Sequence, residues 1–172
     1  MTRRGPARLL LATANQGKLR ELRTILDGLP VELVGLAEAG LGEPPEVEET
    51  GDTFLENALL KGRAYAAWSG LAAVADDSGL EVDALGGRPG VRSARFAKEG
   101  ATDAENNAAL LAALEHVEDE QRQARFRCVM VLVDPWSEGD GDARSPSSAG
   151  ARPVVTEGRC EGSIGREPKG AG

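Results

Sequence analysis

The segment Asp76-Asp77-Ser78-Gly79 places two carboxylates, a hydroxyl and a turn-forming glycine at the end of the apolar run 71–75. A short strand over 71–75 would deliver these groups to its carboxyl end, where α/β sheets bind their ligands. Adjacent carboxylates repel, so a cation is the natural compensation. If extended geometry persists through the pair, Asp76 and Asp77 point to opposite faces and only one easily enters a given metal site. A second ligand must then come from elsewhere, and the acidic loop 43–52 offers Glu48 or Glu49. Mg²⁺ commonly takes one or two carboxylates and completes its shell with water and substrate phosphates. The plainer reading of the same residues is an Asp-rich turn held by structural hydrogen bonds.

A second candidate is Thr13-Ala14-Asn15-Gln16-Gly17-Lys18, where the apolar run 8–14 hands over to Leu19, Leu22, Ile25 and Leu26 at helical spacing. A strand-to-helix junction of this kind aims free amide groups and the positive end of the helix dipole at a ligand. Gly17 lets the backbone come close, Lys18 adds positive charge, and Thr13 and Asn15 can hydrogen-bond phosphate or sugar. It is not a Walker A loop, because Ala12 stands where the first glycine belongs and Leu19 follows Lys18. Further along, Asn57 and Lys61 lie four apart and share one helix face, beside the apolar side of Phe54, Ala58 and Leu59. From there they can address a phosphate or orient a carboxylate, or Lys61 can simply snorkel to water.

The elements that must position these groups follow from the pattern. The helix over 53–68 opens with the capping box Thr53-Phe54-Leu55-Glu56, and a second box, Thr102-Asp103-Ala104-Glu105, opens a helix whose Leu110, Leu114 and Val117 share a face. Strands are expected at 31–36, 71–75 and 81–85, with a turn at 86–90. The run 126–133 is apolar at nearly every position, as in a central strand covered on both faces. Residues 134–152 read as a flexible connection, and the alternation over 154–164 as a half-exposed strand. Early strand–helix alternation followed by two long strands indicates one α/β domain over 1–172 with a mixed sheet.

The formal charge of −8 excludes a broad grip on nucleic acid, which needs a basic surface. No run approaches the ~20 apolar residues of a membrane span, and the start of the chain, with Arg3, Arg4 and Arg8, lacks a signal peptide's apolar segment, so the expected location is the cytoplasm. Cys128 and Cys160 lack metal-ligand spacing and read as small buried apolar residues. The single histidine, His116, falls near the end of the third helix, where its charge suits the dipole and no catalytic role is expected. Trp68 and Trp136 read as packing residues.

Thr13 to Lys18, Glu49-Thr50-Gly51-Asp52-Thr53-Phe54, Glu56-Asn57-Ala58, Lys61 and Ala75-Asp76-Asp77-Ser78-Gly79-Leu80 follow one another in an order and spacing that resemble the inosine/xanthosine triphosphate pyrophosphatases. Leu85-Gly86-Gly87, Pro89-Gly90 and Ser93-Ala94-Arg95 continue the resemblance, which runs from Leu9 onward. These Mg²⁺-dependent enzymes split purine nucleoside triphosphates with deaminated bases into monophosphate and pyrophosphate. The resemblance implies a mixed elongated sheet flanked by helices, two lobes with a cleft, and a homodimer. Carried over by position, Thr13, Ala14, Asn15, Gln16, Gly17 and Lys18 hold the triphosphate, Glu49 and Asp77 hold Mg²⁺, and Asp77 is also the general base. Ser78 contacts substrate, and Asn57, Lys61, Asp76 and Arg95 support the site.

Family members follow the segment matched here by Pro168-Lys169-Gly170-Ala171-Gly172 with a Phe-Gly-Tyr-Asp-Pro motif, a later Lys, a Ser-His-Arg motif and a final helix. The sequence stops at Gly172, so the resemblance implies a C-terminally truncated domain that retains the phosphate and metal half of the site and lacks the half that reads the base. Two alternatives stand beside the enzyme: a catalytically silent nucleotide-binding or dimerising remnant, and a related nucleotide pyrophosphatase of the Maf type with another base preference.

Overall fold

The computed structural model describes residues 7–135 and 152–169. Expectations placed on Arg3, Arg4, Trp136, the 136–151 part of the connection and Gly170 to Gly172 lie outside these residues. A five-stranded mixed sheet carries the fold, in the order β2-β1-β3-β4-β5. Its strands are β1 (Ala7–Leu11), β2 (Val31–Gly35), β3 (Ala72–Val82), β4 (Gln123–Val133) and β5 (Val154–Ser163). The helices are α1 (Gln16–Ile25), α2 (Phe54–Ser69) and α3 (Asp103–Ala113). No helix among the described residues is long and apolar enough to cross a membrane.

The chain is organised as two compact units, each of which takes part of β3, β4 and β5. One takes the described residues up to Gly51, Leu55–Asp76 and those of Met130–Thr156; the other takes Asp52–Phe54, Asp77–Val129 and the described residues from Glu157 onward. The first unit is built on parallel pairing of β1 with β2 and with β3, in register Leu9↔Leu33 and Leu9↔Ala72. Its core joins Leu10, Ala12, Val34 and Leu36 to Ala58 and Ala66 of α2, Ala73 and Ala75 of β3, and Val131 and Val133 of β4. The alanines keep α2 close to the strands, and Trp68 packs against this core as expected.

The second unit packs Val82, Leu110, Leu114 and Ala124 together, with Val117 and Ile164 against them. The Thr102 capping box forms in full: Thr102 Oγ1 accepts from the Glu105 amide at 3.3 Å, and Glu105 Oε2 accepts from the Thr102 amide at 2.8 Å. The helix ends at Ala113, so His116 sits in the exposed turn beyond it and not in the last helical turn.

Four expectations are corrected. The strand expected at 71–75 does not stop at the aspartates; β3 continues through Asp76-Asp77-Ser78-Gly79 and absorbs the start of the strand expected at 81–85, whose remainder, Asp83–Leu85, is a 3-10 turn. β4 is not covered on both faces, since Phe126 is 66% exposed and Leu132 37%. Near-continuous apolar sequence cannot tell a doubly covered strand from one with an open face. β5 is exposed at every position instead of alternate ones, because it forms the edge of the sheet and neither of its faces is covered by described residues. Cys160 is therefore exposed, and Cys128 is only partly buried.

Candidate active site

The order β2-β1-β3 makes the carboxyl end of β1 a switch point: the chain leaves β1 for β2 on one side and returns through α2 to β3 on the other. Crevices at such points are where open α/β sheets take ligands. A pocket of about 200 Å³ lies there, wholly within the first unit, lined by Ala12, Thr13, Ala14, Lys18, Val47, Glu49, Lys61, Tyr65 and Asp76. Thr13, Ala14 and Lys18 come from the β1–α1 junction, Val47 and Glu49 from the acidic loop, Lys61 and Tyr65 from α2, and Asp76 from β3.

Two ion pairs lie in this pocket. Lys18 Nζ lies 2.6 Å from Asp76 Oδ2, and Lys61 Nζ lies 2.9 Å from Glu49 Oε1. Asp76 and Lys61 are the more sheltered partners, with side chains 9% and 16% exposed, so each pair is stronger than an ion pair in open water. The Tyr65 phenol is pushed above its ordinary value by burial, and further by the nearby Glu49 carboxylate, so it stands in the pocket as a neutral hydroxyl.

At the start of α1 the structure changes the role expected for Asn15. Its side chain is the helix N-cap, with Oδ1 accepting from the amides of Gly17 at 2.9 Å and Lys18 at 3.1 Å. Those two amides are engaged by the cap oxygen, where the cradle reading had expected them to be free for a phosphate. Thr13 Oγ1 accepts from the Asn15 amide at 3.2 Å and still lines the pocket. Asn15, Gln16 and Gly17 are not among the lining residues.

Asn57 is fully buried and also off the pocket wall. Its Oδ1 accepts from the Gly51 amide at 2.7 Å, tying the loop that carries Glu49 to the first turn of α2. Only glycine fits at position 51, since a Cβ there would stand 2.6 Å from Glu56 Cβ and 2.7 Å from Asn57 Oδ1.

Asp77, Ser78 and Arg95 belong to the second unit. Asp77 is buried on β3, and its Oδ1 accepts from the Ser78 amide at 3.0 Å. β3 stays extended across Asp76 and Asp77. The strand survives this turn-like sequence through its neighbours. Ser93 Oγ accepts from the Leu80 amide at 2.8 Å and donates to the Gly90 carbonyl at 2.7 Å. A Cβ on Gly79 would sit 2.4 Å from that carbonyl oxygen, so the close approach requires glycine. Arg95 reaches Glu99 at 3.8 Å.

Two contributors escaped the sequence reading. Tyr65 extends the series Asn57, Lys61 by one more turn of α2, a signal the i, i+4 spacing held. Ser93 has no periodic signal, because its role is set by the approach of its own turn to β3.

The Ham1 family profile matches residues 9–172. The chain belongs to the Ham1 family. Among Ham1 relatives it is 48% identical over 165 residues to a protein of Thioalkalivibrio sulfidiphilus named dITP/XTP pyrophosphatase, covering 96% of this chain and 76% of that one. Its fold is similar to a HAM1 protein from Coxiella burnetii, with a TM-score of 0.79 at 39% identity over 95% of this chain and 76% of that one. It is also similar to the nucleoside-triphosphatase / dITP/XTP pyrophosphatase from Mycobacterium abscessus, with a TM-score of 0.75 at 45% identity over 95% of this chain and 77% of that one. The Ham1 match includes every segment from which the pocket is built.

Proposed function

We propose that this protein hydrolyses purine nucleoside triphosphates with deaminated bases, ITP, dITP and XTP, to the monophosphate and pyrophosphate, with Mg²⁺ as cofactor. The observation that carries the proposal is the pocket at the end of β1, where two lysines and two carboxylates lie in ion pairs. A triphosphate with its metal presents both partners at once: phosphate oxygens for Lys18 and Lys61, and a cation for the carboxylates. The Lys61–Glu49 pair is exchanged for Lys61–phosphate and Glu49–metal contacts, so the cost of opening it is offset on binding, while Asp76 keeps Lys18 in place. The names of the relatives, dITP/XTP pyrophosphatase, supply the substrate class.

The donors suit Mg²⁺. Glu49 offers a hard carboxylate oxygen in the pocket, the donor type taken by an ion that keeps waters and substrate oxygens in its shell. Glu49 and Asp77 would hold it, and when bound it neutralises phosphate charge. The protein's own groups do the rest. Lys18 and Lys61 bind non-bridging oxygens and stabilise the charge that builds on them. Thr13 and Ala14 border the phosphate chain, with Asn15, Gln16 and Gly17 shaping the junction behind them, and Ser78 contacts substrate next to Asp77. Asp77 takes a proton from water as the water oxygen bonds to phosphorus; the bond to the pyrophosphate oxygen breaks and its electron pair leaves with pyrophosphate. Asn57 and Asp76 support the site through the Glu49 loop and Lys18.

The test is pyrophosphate release from ITP and from ATP, with and without Mg²⁺. Turnover that needs Mg²⁺, prefers ITP and falls at least about 10³-fold in Asp77→Asn is the expected result, since the base is removed while shape is kept. A folded protein that releases no pyrophosphate from ITP overturns the proposal.

A further inference from the structure

The proposed reaction leaves one polar side chain of the pocket without a task. Tyr65 stands one helical turn beyond Lys61 on the same face of α2, and both line the pocket together with Lys18 of α1 and Asp76 of β3. The charged lining groups are engaged with one another, Lys18 with Asp76 and Lys61 with Glu49. The tyrosine carbonyl accepts from Ser69 Oγ at 2.8 Å, whereas the phenol hydroxyl has no hydrogen-bond partner among the described residues. A tyrosine hydroxyl in a pocket that also holds two lysines is a neutral donor available to the anions those cations attract.

We propose that Tyr65 is a further substrate-binding residue, its hydroxyl donating a hydrogen bond to a non-bridging phosphate oxygen of the bound triphosphate. This rests on the reaction proposed above. Phosphate oxygens are acceptors only, and a polyanion that lies along this face of α2 meets Lys61 and then, one turn on, Tyr65. The remaining carboxylates, Glu49 and Asp76, are suited to cations and offer phosphate no bond. A hydrogen bond from a neutral donor to an anionic oxygen is charge-assisted, so its loss weakens binding by about tenfold. The contact is made to ground state and transition state alike, so it acts on KM and leaves kcat in place.

Two measurements test it. In the first, inorganic tripolyphosphate with Mg²⁺ is titrated calorimetrically into the parent protein and into Tyr65→Phe, which keeps the ring and removes only the hydroxyl. Binding about tenfold weaker in the variant, with KM for ITP raised by a similar factor and kcat within about twofold, is the expected result. In the second, the parent is labelled at tyrosine Cζ. Tyr65 is the only tyrosine of the chain, so a single resonance reports on it, and saturation with Mg²⁺-tripolyphosphate should move that resonance. This measurement needs no substitution and holds even where Tyr65→Phe is poorly folded. Equal binding by a folded Tyr65→Phe, or a resonance that stays put at saturation, overturns the role of Tyr65 while ITP turnover by the parent leaves the proposed reaction intact. A parent that neither binds tripolyphosphate nor releases pyrophosphate overturns both.

Discussion

The two units of the molecule use positive charge in opposite ways. In the first, the cations of the pocket are lysines, Lys18 and Lys61, paired with the carboxylates of Asp76 and Glu49. In the second, they are arginines in fixed forks. Arg125 bridges Asp83 at 2.7 and 3.0 Å and Glu161 at 2.9 Å; Arg127 bridges Glu157 at 2.8 and 3.0 Å and Glu81 at 3.2 Å, with its guanidinium 5.9 Å over the Phe54 ring. A lysine ammonium is a point charge that changes partners without reorienting, whereas a guanidinium committed to two carboxylates loses several directional bonds if it moves. The difference separates exchangeable charge, which serves a ligand, from charge that ties strands together.

Arg122 is the extreme of the second kind and the place where the comparison is most easily broken. It is buried, and its guanidinium donates to the carbonyls of Leu114 at 2.6 Å, Ile164 at 2.8 Å and Gly165 at 2.9 Å. It thereby fastens the chain beyond β5 to the end of α3. Arg122→Met leaves these carbonyls short of donors, and each such loss costs about 1–3 kcal/mol, so the variant should be less stable by about 3–5 kcal/mol in urea unfolding. A loss under about 1 kcal/mol would mean that water replaces the guanidinium and that the arginines of this unit are not its fasteners.

The pocket lysines should respond in the reverse sense. Lys18→Gln removes a cation whose side chain is 38% exposed, so stability should change by no more than about 1 kcal/mol. Hydrolysis of ITP should nevertheless fall on the order of 10²-fold in kcat/KM, the scale of one preorganised electrostatic contact to a transferring phosphoryl group. Steady-state kinetics beside a thermal melt separates the two. A stability loss matching that of Arg122→Met, with activity preserved, would place Lys18 among the fasteners.

How much of this was legible beforehand depends on whether the signal was local. The Thr102 capping box and the start of α2 at Phe54 followed from short-range chemistry, and so did the shared face of Asn57 and Lys61, which Tyr65 extends. The mixed sheet was legible from the alternation of elements. The identity of the pocket residues Thr13, Ala14, Lys18, Glu49, Lys61 and Asp76 was legible too, but not their pairing, since Lys18 and Asp76 are 58 residues apart in sequence. The continuation of β3 through Asp76-Asp77-Ser78-Gly79 was not legible, because every residue there favours a turn. What overrides that preference is the Ser93 hydroxyl on the Leu80 amide and the approach of Gly90 to Gly79, contacts invisible until the chain is folded. β5 failed for a related reason, since alternation shows that one face of a strand could be buried and not that anything covers it.

The smallest expected effect tests the strand ladder itself. The Arg125 guanidinium holds the Asp83 carboxyl below its ordinary value of 3.8, chiefly through the hydrogen bonds it donates. A carboxylate with a lowered value in the folded state adds stability above its unfolded value, and that contribution is lost as pH falls through the folded one. The Glu157 carboxyl is held below 4.5 by Arg127 in the same way. Arg125→Gln should therefore lower the urea midpoint slightly at neutral pH, and the gap to the parent should close as the pH is taken below about 3.8. Added salt at neutral pH should narrow the same gap, because these groups lie at the surface and are screened. The lysine pocket gives the contrast: Lys18→Gln should show its loss as turnover at every pH where the enzyme is folded. A gap for Arg125→Gln that persists in acid would mean that the side chain acts through packing along β4 and β5, and the two carboxylates would then be passengers on the ladder.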